Sequence, residues 1–401
     1  MSRNAYDLWT PAHRANPRPL YARMREQDPI IRLVDPNKGL PFWLVTRYDD
    51  TVEVLRDERL TKDPRKLSEQ ARSTFFRLAS EGLLEHMLAS DPPDHTRLRA
   101  LVSQAFTPRR LESLRPRIRA IAAELLEAAL ARGNVDFVDA FAFPLPVIVI
   151  AEMLGVPTED RARFREWTQT LFTPPADAGP EPVIAAGRSF LTYFNTLFQR
   201  RQAEPGDDLV SALLAAEEQG ERLRPNELTS MVFLLLVAGH ETTVNLLGSG
   251  LLALLEHPEQ FERLRGDRKL MGTAVEEMLR YCSPVETSTS RFTREPTHVC
   301  GRMIPAEEMV IAGLMAANHD PEVFPEPERF DVGRTPNRHV AFGSGIHFCL
   351  GAPLARMEAA ISFELLLDQA PGVRLAVEPE RLEWRDSAFI RSLERLPVNF
   401  G

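Results

Sequence analysis

The order of apolar and polar positions along the chain predicts a mostly helical protein with a minor β part. Residues 30–47 have the pattern of two strands around a Pro-Asn-Lys-Gly turn, and residues 48–58 that of a short helix. From about residue 94, apolar residues recur with helical spacing, and Pro and Gly stand at the expected helix ends. The predicted helices are 94–106, 108–132, 144–155, 158–172, 183–203, 207–219, 225–256, 258–265, 270–281 and 350–369.

The segments outside these helices are shorter or irregular. Residues 61–92 are polar and irregular, 173–182 are a Pro-rich loop, and 320–345 are predicted to form ordered coil. Short strands are predicted in 285–313, with a turn at 301–306, and in the tail 373–400. The pattern contains no internal repeat, so we expect residues 1–401 to form one mainly α domain.

Composition and charge change this picture by excluding several classes of protein. The net charge of −9 argues against general nucleic-acid binding, which needs a strongly basic surface. The N-terminus has no apolar core, so we expect neither a signal peptide nor an anchor. The most apolar stretch, 231–255, contains His240, Glu241 and Asn245, which favours a buried helix over a membrane span. We therefore expect no membrane association.

The cysteine count indicates a reducing compartment. Cys282, Cys300 and Cys349 are the three cysteines of the chain, and no two have the C-x-x-C spacing. An odd and low count argues against a disulfide framework and against a zinc site. A cytoplasmic location is the expectation.

The segment from Phe342 to Gly351 carries the most specific chemistry. Gly343 and Gly345 precede Cys349, and Gly351 follows it. Glycines let the backbone approach a flat ligand closely, and a helix starting after the cysteine would favour a thiolate. A single thiolate in such a loop suits the fifth ligand of heme iron. The alternative is a buried structural cysteine beside a glycine-rich turn.

A second segment, Ala238–Thr243, places an acid and an alcohol inside the long apolar helix. Glu241 has no Lys or Arg near it in sequence, since none occurs in 225–262. Gly239 weakens the helix, and Thr hydroxyls can bond to the preceding turn and bend it. We therefore expect Glu241 and Thr242 to be buried at a bend and to form a proton-relay groove. The alternative is a helix defect satisfied by internal hydrogen bonds.

These two segments resemble motifs of the cytochrome P-450 family, and the resemblance covers essentially the whole chain. F-G-x-G-x-H-x-C-x-G matches at every fixed position, and A-G-x-[E/D]-T-T is the distal-helix motif of the family. The resemblance implies heme b with Cys349 as the axial iron ligand. It also implies that Thr242 stabilises oxygen through a water network, that Glu241 helps to deliver protons, and that Ala238 and Gly239 border the oxygen groove.

The resemblance also assigns scaffold residues. Glu277 and Arg280 form the E-x-x-R motif of the family, which pairs with an Arg from a Pro-Glu-Arg-Phe-like coil. Arg329 in 327–330 is the expected partner, and Arg334 is the second choice.

Four cationic or donor side chains are expected at the heme propionates by resemblance: His95, Arg99, Arg291 and His347. The alternatives are ordinary surface helix charges for the first two and a strand-end arginine for Arg291.

The resemblance implies a soluble bacterial heme-thiolate monooxygenase. It would insert one oxygen atom of O2 into a C–H bond of a macrolide, terpene, steroid or fatty acid, by hydroxylation or epoxidation. We expect no fused reductase, so electrons would come from NAD(P)H through a separate ferredoxin or flavodoxin and its reductase, with Arg99 and Arg356 as docking contacts. A monomer is expected. A peroxide-driven peroxygenase on the same fold and a non-catalytic heme sensor are the alternatives, and the acid–alcohol pair argues against both.

The substrate pocket is expected to be mostly apolar, as ligand sites usually are. Its walls are predicted in 61–90 and 164–195, with 173–182 as a lid over a bulky substrate. The individual wall residues are expected to be Val237, Ala238, Val285, Thr287, Phe389 and Ile390.

Overall fold

A computed structural model describes residues 6–76, 83–172 and 181–401. The chain divides into two compact units. Unit 1 consists of Met1–Leu78, Leu126–Ala140 and Thr242–Gly401, and unit 2 of Ala79–Leu125 and Phe141–Glu241. The single domain expected for residues 1–401 stays a prediction. The lid expected at 173–182 lies outside the described residues, except that 181 and 182 begin a helix.

α-Helices dominate the described residues, as the sequence predicts. They are α1 (Pro11–Ala15), α2 (Arg18–Gln27), α3 (Tyr48–Arg56), α4 (Glu69–Phe75), α5 (Asp94–Ala105), α6 (Pro108–Ser113), α7 (Arg115–Leu130), α8 (Pro144–Met153), α9 (Arg161–Phe172), α10 (Glu181–Ala203), α11 (Leu209–Ala215), α12 (Pro225–Glu256), α13 (Pro258–Gly266), α14 (Met271–Cys282), α15 (Leu314–Asn318) and α16 (Ala352–Gln369).

Two helix predictions differ from the structure for local reasons. The predicted helix 108–132 is two helices, α6 and α7, because Pro116 lacks an N–H and its ring crowds the carbonyl four residues earlier. The predicted irregular segment 61–92 contains α4, whose first turn is capped by Ser68 Oγ accepting from Ala71 N at 3.2 Å.

The strands of the described residues all lie in unit 1 and form three small sheets. The largest has the order β1 (Ile30–Val34), β2 (Pro41–Val45), β8 (Met309–Ala312), β5 (Arg291–Thr293) and β3 (Leu60–Thr61). In it only β2 and β8 are parallel. The second sheet has the order β4 (Asn134–Asp136), β10 (Pro397–Asn399) and β9 (Arg374–Leu375). The third sheet contains β6 (Thr297–Val299) and β7 (Arg302–Ile304).

The turn expected at 301–306 is misplaced. β7 (Arg302–Ile304) occupies half of that range, and the tight turn is at Cys300 and Gly301, which have φ of 47° and 81°. Gly301 takes this left-handed conformation without steric cost, whereas a cysteine adopts it rarely.

α12 is long and apolar enough to cross a membrane by length and composition alone. However, 67% of its most apolar 18-residue stretch is buried inside the protein, which is typical of a core helix of a soluble protein. The buried helix expected from the sequence is thus confirmed. The helix is continuous from Pro225 to Glu256.

α16 carries a buried acid that should make stability depend on pH. Glu358 is 2% exposed, its Oε2 has no hydrogen bond to the described residues, and burial raises its pKa to about 8. An acid with a raised folded-state pKa stabilises the fold fully only below its unfolded pKa, and this contribution is lost as pH rises towards 8. From pH 4.5 to 8 the loss is of order 4 kcal/mol.

Glu358→Gln cannot ionise, so we expect its thermal midpoint to rise relative to the wild type as pH increases from 5 to 8. Glu378→Gln, which removes an exposed acid, is the control and should show no such trend. A parallel pH dependence of Glu358→Gln and wild type would show that Glu358 is not the neutral buried acid proposed here.

Candidate active site

The Cys349 loop is built on two left-handed glycines. Gly343 and Gly345 both have φ of +73°, a conformation that only glycine adopts without strain. Gly345–His347 form a short 3-10 turn before the cysteine, and Cys349 N donates to Phe342 O at 3.0 Å. Cys349 is exposed, and it forms no disulfide within the described residues.

The C-terminal end of α3 supports the loop from one side. A Cβ at Gly345 would lie 3.1 Å from Leu55 O, so only glycine lets the two backbones approach this closely. Arg56 Nε donates to Ser344 Oγ at 2.8 Å. Both contacts fix the loop that presents Cys349.

α16 begins at Ala352, three residues after the cysteine, which confirms the predicted helix start. Cys349 Sγ lies 3.9 Å from the Cβ position of Gly351, the N-cap residue of α16. The N–H groups and positive end of a helix favour an anion at this place. The position therefore favours the thiolate form of Cys349.

The other two cysteines are poorly suited to bind a metal as thiolates. Cys282 is buried, and burial raises its pKa to about 12. Cys300 is half-buried, and burial together with the charges of Asp50 and Glu53 raises its pKa strongly. Because the thiolate is the metal ligand, Cys349 is the candidate that remains.

The surroundings of Arg291 on β5 show whether unit 1 is suited to bind an anionic cofactor. The residue is 4% exposed, and its guanidinium donates to Leu55 O at 3.4 Å and to Thr289 O at 3.2 Å. In the described part of the chain it forms no salt bridge, and burial lowers its pKa to about 10, so it stays charged at neutral pH. A buried cation without an acid partner fits a propionate carboxylate. Together with the Cys349 loop, it shows that these residues suit heme.

The other predicted propionate residues are distributed over both units. His347 is half-buried in the 3-10 turn of unit 1. His95, which is 3% exposed, and the half-buried Arg99 lie one turn apart on α5 in unit 2. Their roles at the heme stay predictions.

The acid–alcohol pair is less enclosed than expected. Glu241 and Thr242 are half-buried rather than buried, while Ala238 is exposed. A half-buried carboxyl keeps access to water, which a proton relay requires. A Cβ at Gly239 would meet Ile150 Cδ1 at 3.5 Å, an ordinary contact, so packing against α8 does not by itself require glycine.

His240 beside the pair has no catalytic role in our interpretation, and its surroundings agree. Its Nδ1 donates to Leu236 O at 2.8 Å, and burial lowers its pKa to about 4. The ring is therefore neutral at physiological pH and fixed by its own helix.

The E-x-x-R pair is fully buried and forms the centre of a hydrogen-bond network. Arg280 donates to both carboxylate oxygens of Glu277, each at 2.8 Å. It also donates to the carbonyls of Asn318, Pro327 and Arg329 at 2.8–3.2 Å. The pair thus holds the coil that follows α15, as the resemblance implies.

The choice of Arg329 as the side-chain partner was wrong. Arg334 Nε donates to Glu277 Oε1 at 3.1 Å, whereas Arg329 pairs with Glu326 at the surface. Asn337 Nδ2, which sequence reasoning missed, donates to Glu277 Oε2 at 3.1 Å. Arg329 contributes only its carbonyl to the network.

A second network near the Cys349 loop was also missed. Arg356 pairs with Glu276 through two contacts of 2.6 and 2.8 Å, and His339 contacts the same carboxylate at 3.0 Å. Burial opposes ionisation of Glu276, but these hydrogen bonds outweigh it and lower its pKa to about 2. Arg356 Cζ also lies 4.6 Å from the ring centroid of Phe342. The arginine therefore stabilises the base of the loop.

Four of the predicted wall residues lie together in unit 1. Val285 and Ile390 form an antiparallel bridge, and Thr287 Oγ1 donates to Ala388 O at 3.0 Å. The exposed side chain of Phe389 stands beside them. The other two, Val237 and Ala238, belong to unit 2.

A cysteine in a glycine loop before a helix, with a buried arginine in the same unit, fits the class of heme-thiolate proteins. The family model "Cytochrome P-450" matches residues 190–369. The polyketide biosynthesis cytochrome P-450 PksS of Bacillus subtilis (strain 168) is 45% identical over 390 residues, 96% of each chain. Cytochrome P-450 monooxygenase PikC of Streptomyces venezuelae is 46% identical over 390 residues, 96% of this chain and 91% of PikC. The crystal structure of myxobacterial CYP267B1 in complex with myristic acid has a TM-score of 0.92 and 51% identity, covering 98% of both chains.

The chain belongs to the cytochrome P-450 family. It is a monooxygenase whose cofactor is heme, with O2 as co-substrate and NAD(P)H acting through redox partners. The expected fold is confirmed, and the bacterial origin of the relatives agrees with the expectation.

Proposed function

We propose that this monooxygenase oxidises a C–H bond of a macrolide or related polyketide in the cytoplasm, as a monomer. The observation that carries the proposal is the Cys349 loop, with its exposed thiol beside the start of α16. The similarity to PksS, a polyketide biosynthesis protein, supports the substrate class. The mixed wall of Val285, Thr287 and Ile390 provides apolar contact and a hydroxyl.

Each cofactor-binding residue has a distinct task in this proposal. Cys349 would bind the heme iron, and Arg291 and His347 would bind the propionates. His95 and Arg99 stay propionate candidates by the family resemblance alone. The bound heme supplies the activation of O2, while the chain supplies position, protons and a dry site.

Thr242 and Glu241 would control protons on α12. The half-buried Glu241 carboxyl would pass protons inward from water, and the Thr242 hydroxyl would hold the final water or oxygen in place. This pair favours O2 over peroxide as the oxidant.

A separate ferredoxin or flavodoxin, with its reductase, would supply electrons. Arg99 and Arg356 are the arginines expected to dock it, and Arg356 also pairs with Glu276. Charge-guided docking of this kind weakens as salt is raised.

The test begins with an optical titration of the purified ferric holoprotein against macrolides, terpenes, steroids and fatty acids. A substrate that displaces the iron-bound water shifts the Soret band to the blue, and we expect saturation with a macrolide. A saturating shift with fatty acids or terpenes alone would reject the polyketide class while leaving the heme-thiolate assignment intact.

The same substrate then tests the proton role. Thr242→Ala should lower the product formed per NAD(P)H consumed, because positioned proton transfer contributes about 10²–10⁴-fold to such steps. Thr243→Ala, which changes the buried neighbour, is the matched control. Equal coupling in Thr242→Ala and wild type would show that Thr242 has no role in the relay.

A further inference from the structure

Glu286 is a fully buried carboxylate within the wall segment 284–288, and the roles assigned above do not use it. The residue is 0% exposed and lies between Val285 and Thr287. Its carboxylate accepts hydrogen bonds from Tyr21 Oη at 2.6 Å, His13 Nε2 at 3.2 Å and Arg14 Nη1 at 3.3 Å. Although burial opposes ionisation, His13 and Arg14 hold the pKa of Glu286 below its usual range. The anion thus ties the wall to the N-terminal part of unit 1.

The same N-terminal residues also hold the second wall segment. Arg14 donates to Ser387 O as well as to Glu286. In return, Arg391 Nη1 donates to Arg14 O at 2.6 Å and its Nη2 to Ala15 O at 3.0 Å. Segment 387–391 is therefore bound at both ends to residues 14 and 15.

Backbone hydrogen bonds join the two wall segments to each other. Glu286 N donates to Phe389 O at 2.9 Å, and Arg391 N donates to Pro284 O at 3.1 Å. Three segments that are remote in sequence (10–21, 284–287 and 387–391) thus form a closed ring of contacts. In such a ring no segment moves without breaking bonds of the other two.

Glu286 and its neighbours face different surroundings. Val285 packs against the cluster that includes Trp43 and Val310, whereas Glu286 contacts Tyr21, which belongs to another cluster. Adjacent residues of extended chain point to opposite sides. A change at Glu286 therefore reaches a ligand through the position of Val285 and Thr287, without direct contact.

We propose that His13, Arg14, Ala15 and Tyr21 form a clamp that fixes the two wall segments, and that Glu286 is the positioning residue through which this clamp determines which molecules fit. The inference rests on the proposed function in one respect, the assignment of Val285, Thr287, Phe389 and Ile390 to the pocket. Moving Glu286 would leave its charge buried without donors, so the wall stays in one position. Such support behind a site sets its precision.

The experiment compares Tyr21→Phe and Glu286→Gln with a matched control in the holoprotein. Tyr21→Phe removes only the hydrogen bond from Tyr21 to Glu286 and keeps the aromatic ring. It therefore tests the clamp even if Glu286→Gln fails to fold. Glu227→Gln is the control, because Glu227 is also a buried acid with cationic partners, in its case Arg97 and Arg224. Glu227→Gln should lower the thermal midpoint and leave the contacts of the clamp unchanged.

Two readouts separate positioning from stability. Amide hydrogen exchange in peptides covering 284–288 and 387–391 should become about tenfold faster in the clamp variants, because their closing hydrogen bonds open more often. Optical titration should show clotrimazole, a bulky azole, binding at least about fivefold more weakly, since a shifted wall loses contacts with a large ligand. Imidazole, which is small, should bind within about twofold of wild type.

The outcomes distinguish the clamp from ordinary stabilisation. If clamp variants and Glu227→Gln lose stability alike but keep wild-type exchange in both peptides and wild-type clotrimazole binding, the clamp proposal is overturned. Neither readout needs a substrate, so failure of the macrolide titration leaves the clamp test valid. Clotrimazole binding that weakens only in the clamp variants would support it.

Discussion

Cys349→Ser is expected to yield a folded protein that lacks the carbon monoxide band of thiolate-bound heme and has no monooxygenase activity. A serine hydroxyl stays protonated at neutral pH, so it cannot donate the charge that a thiolate gives to iron. The loss of activity should exceed the roughly 10–100-fold that follows removal of an outer partner of a metal ligand. The measurement is the difference spectrum of the dithionite-reduced protein with and without carbon monoxide.

Cys300→Ser is the matched control, since Cys300 is also accessible in part but its thiol is held protonated. It should keep the thiolate band and the activity of wild type. A thiolate band that survives Cys349→Ser, or disappears in Cys300→Ser, would show that the iron ligand is assigned to the wrong residue.

The parts of the site that the sequence predicted best are those in which local geometry demands a particular residue. Glycine is favoured at position 345 for two reasons. Its φ is +73°, and a Cβ there would lie only 3.1 Å from Leu55 O. The predicted helix 350–369 follows from the return of helical spacing after Cys349, and α16 begins two residues later, at Ala352. Such demands act within a few residues, so the amino-acid pattern records them.

The coil between α15 and the Cys349 loop was harder to predict. Arg329 and Arg334 are five residues apart in a segment without helical or strand period, so no pattern shows which side chain turns inward. In the structure Arg334 is the side-chain partner of Glu277. The chain between Arg329 and Arg334 brings Asp331 N to 3.0 Å from Glu277 Oε1 and aligns Arg334 with the same oxygen. Tertiary contacts of this kind leave no local signal.

Glu286 shows the same limit for a buried charge. The sequence analysis did not single out Glu286, whose partners His13, Arg14 and Tyr21 are more than 260 residues away. Glu241 shows the reverse, because the absence of nearby cations led us to expect burial, and the structure leaves it half-buried. Burial of a charge depends on distant segments, and sequence spacing alone does not determine it.

Glu277→Gln should destabilise the fold strongly and release the coil that carries the Cys349 loop. Its carboxylate binds Arg280, Arg334 and Asn337 with no solvent exposure. The substitution leaves the buried guanidinium of Arg280 and the half-buried one of Arg334 without their counter-charge. Breaking a buried pair in this way costs about 3–5 kcal/mol. Thermal unfolding followed by the Soret absorbance would measure the loss of the fold and of bound heme together.

Two lysine variants show which arginine the buried carboxylate of Glu277 depends on. Arg334→Lys keeps the charge but cannot reproduce the contacts of Arg334 with Glu277 and with the carbonyls of Pro325 and Arg329, so we expect a loss of about 1–3 kcal/mol. Arg329→Lys alters only an exposed pair with Glu326 and should stay within about 0.5 kcal/mol. A larger loss for Arg329→Lys than for Arg334→Lys would contradict the assignment of Arg334, because the buried carboxylate must depend most on the arginine that contacts it.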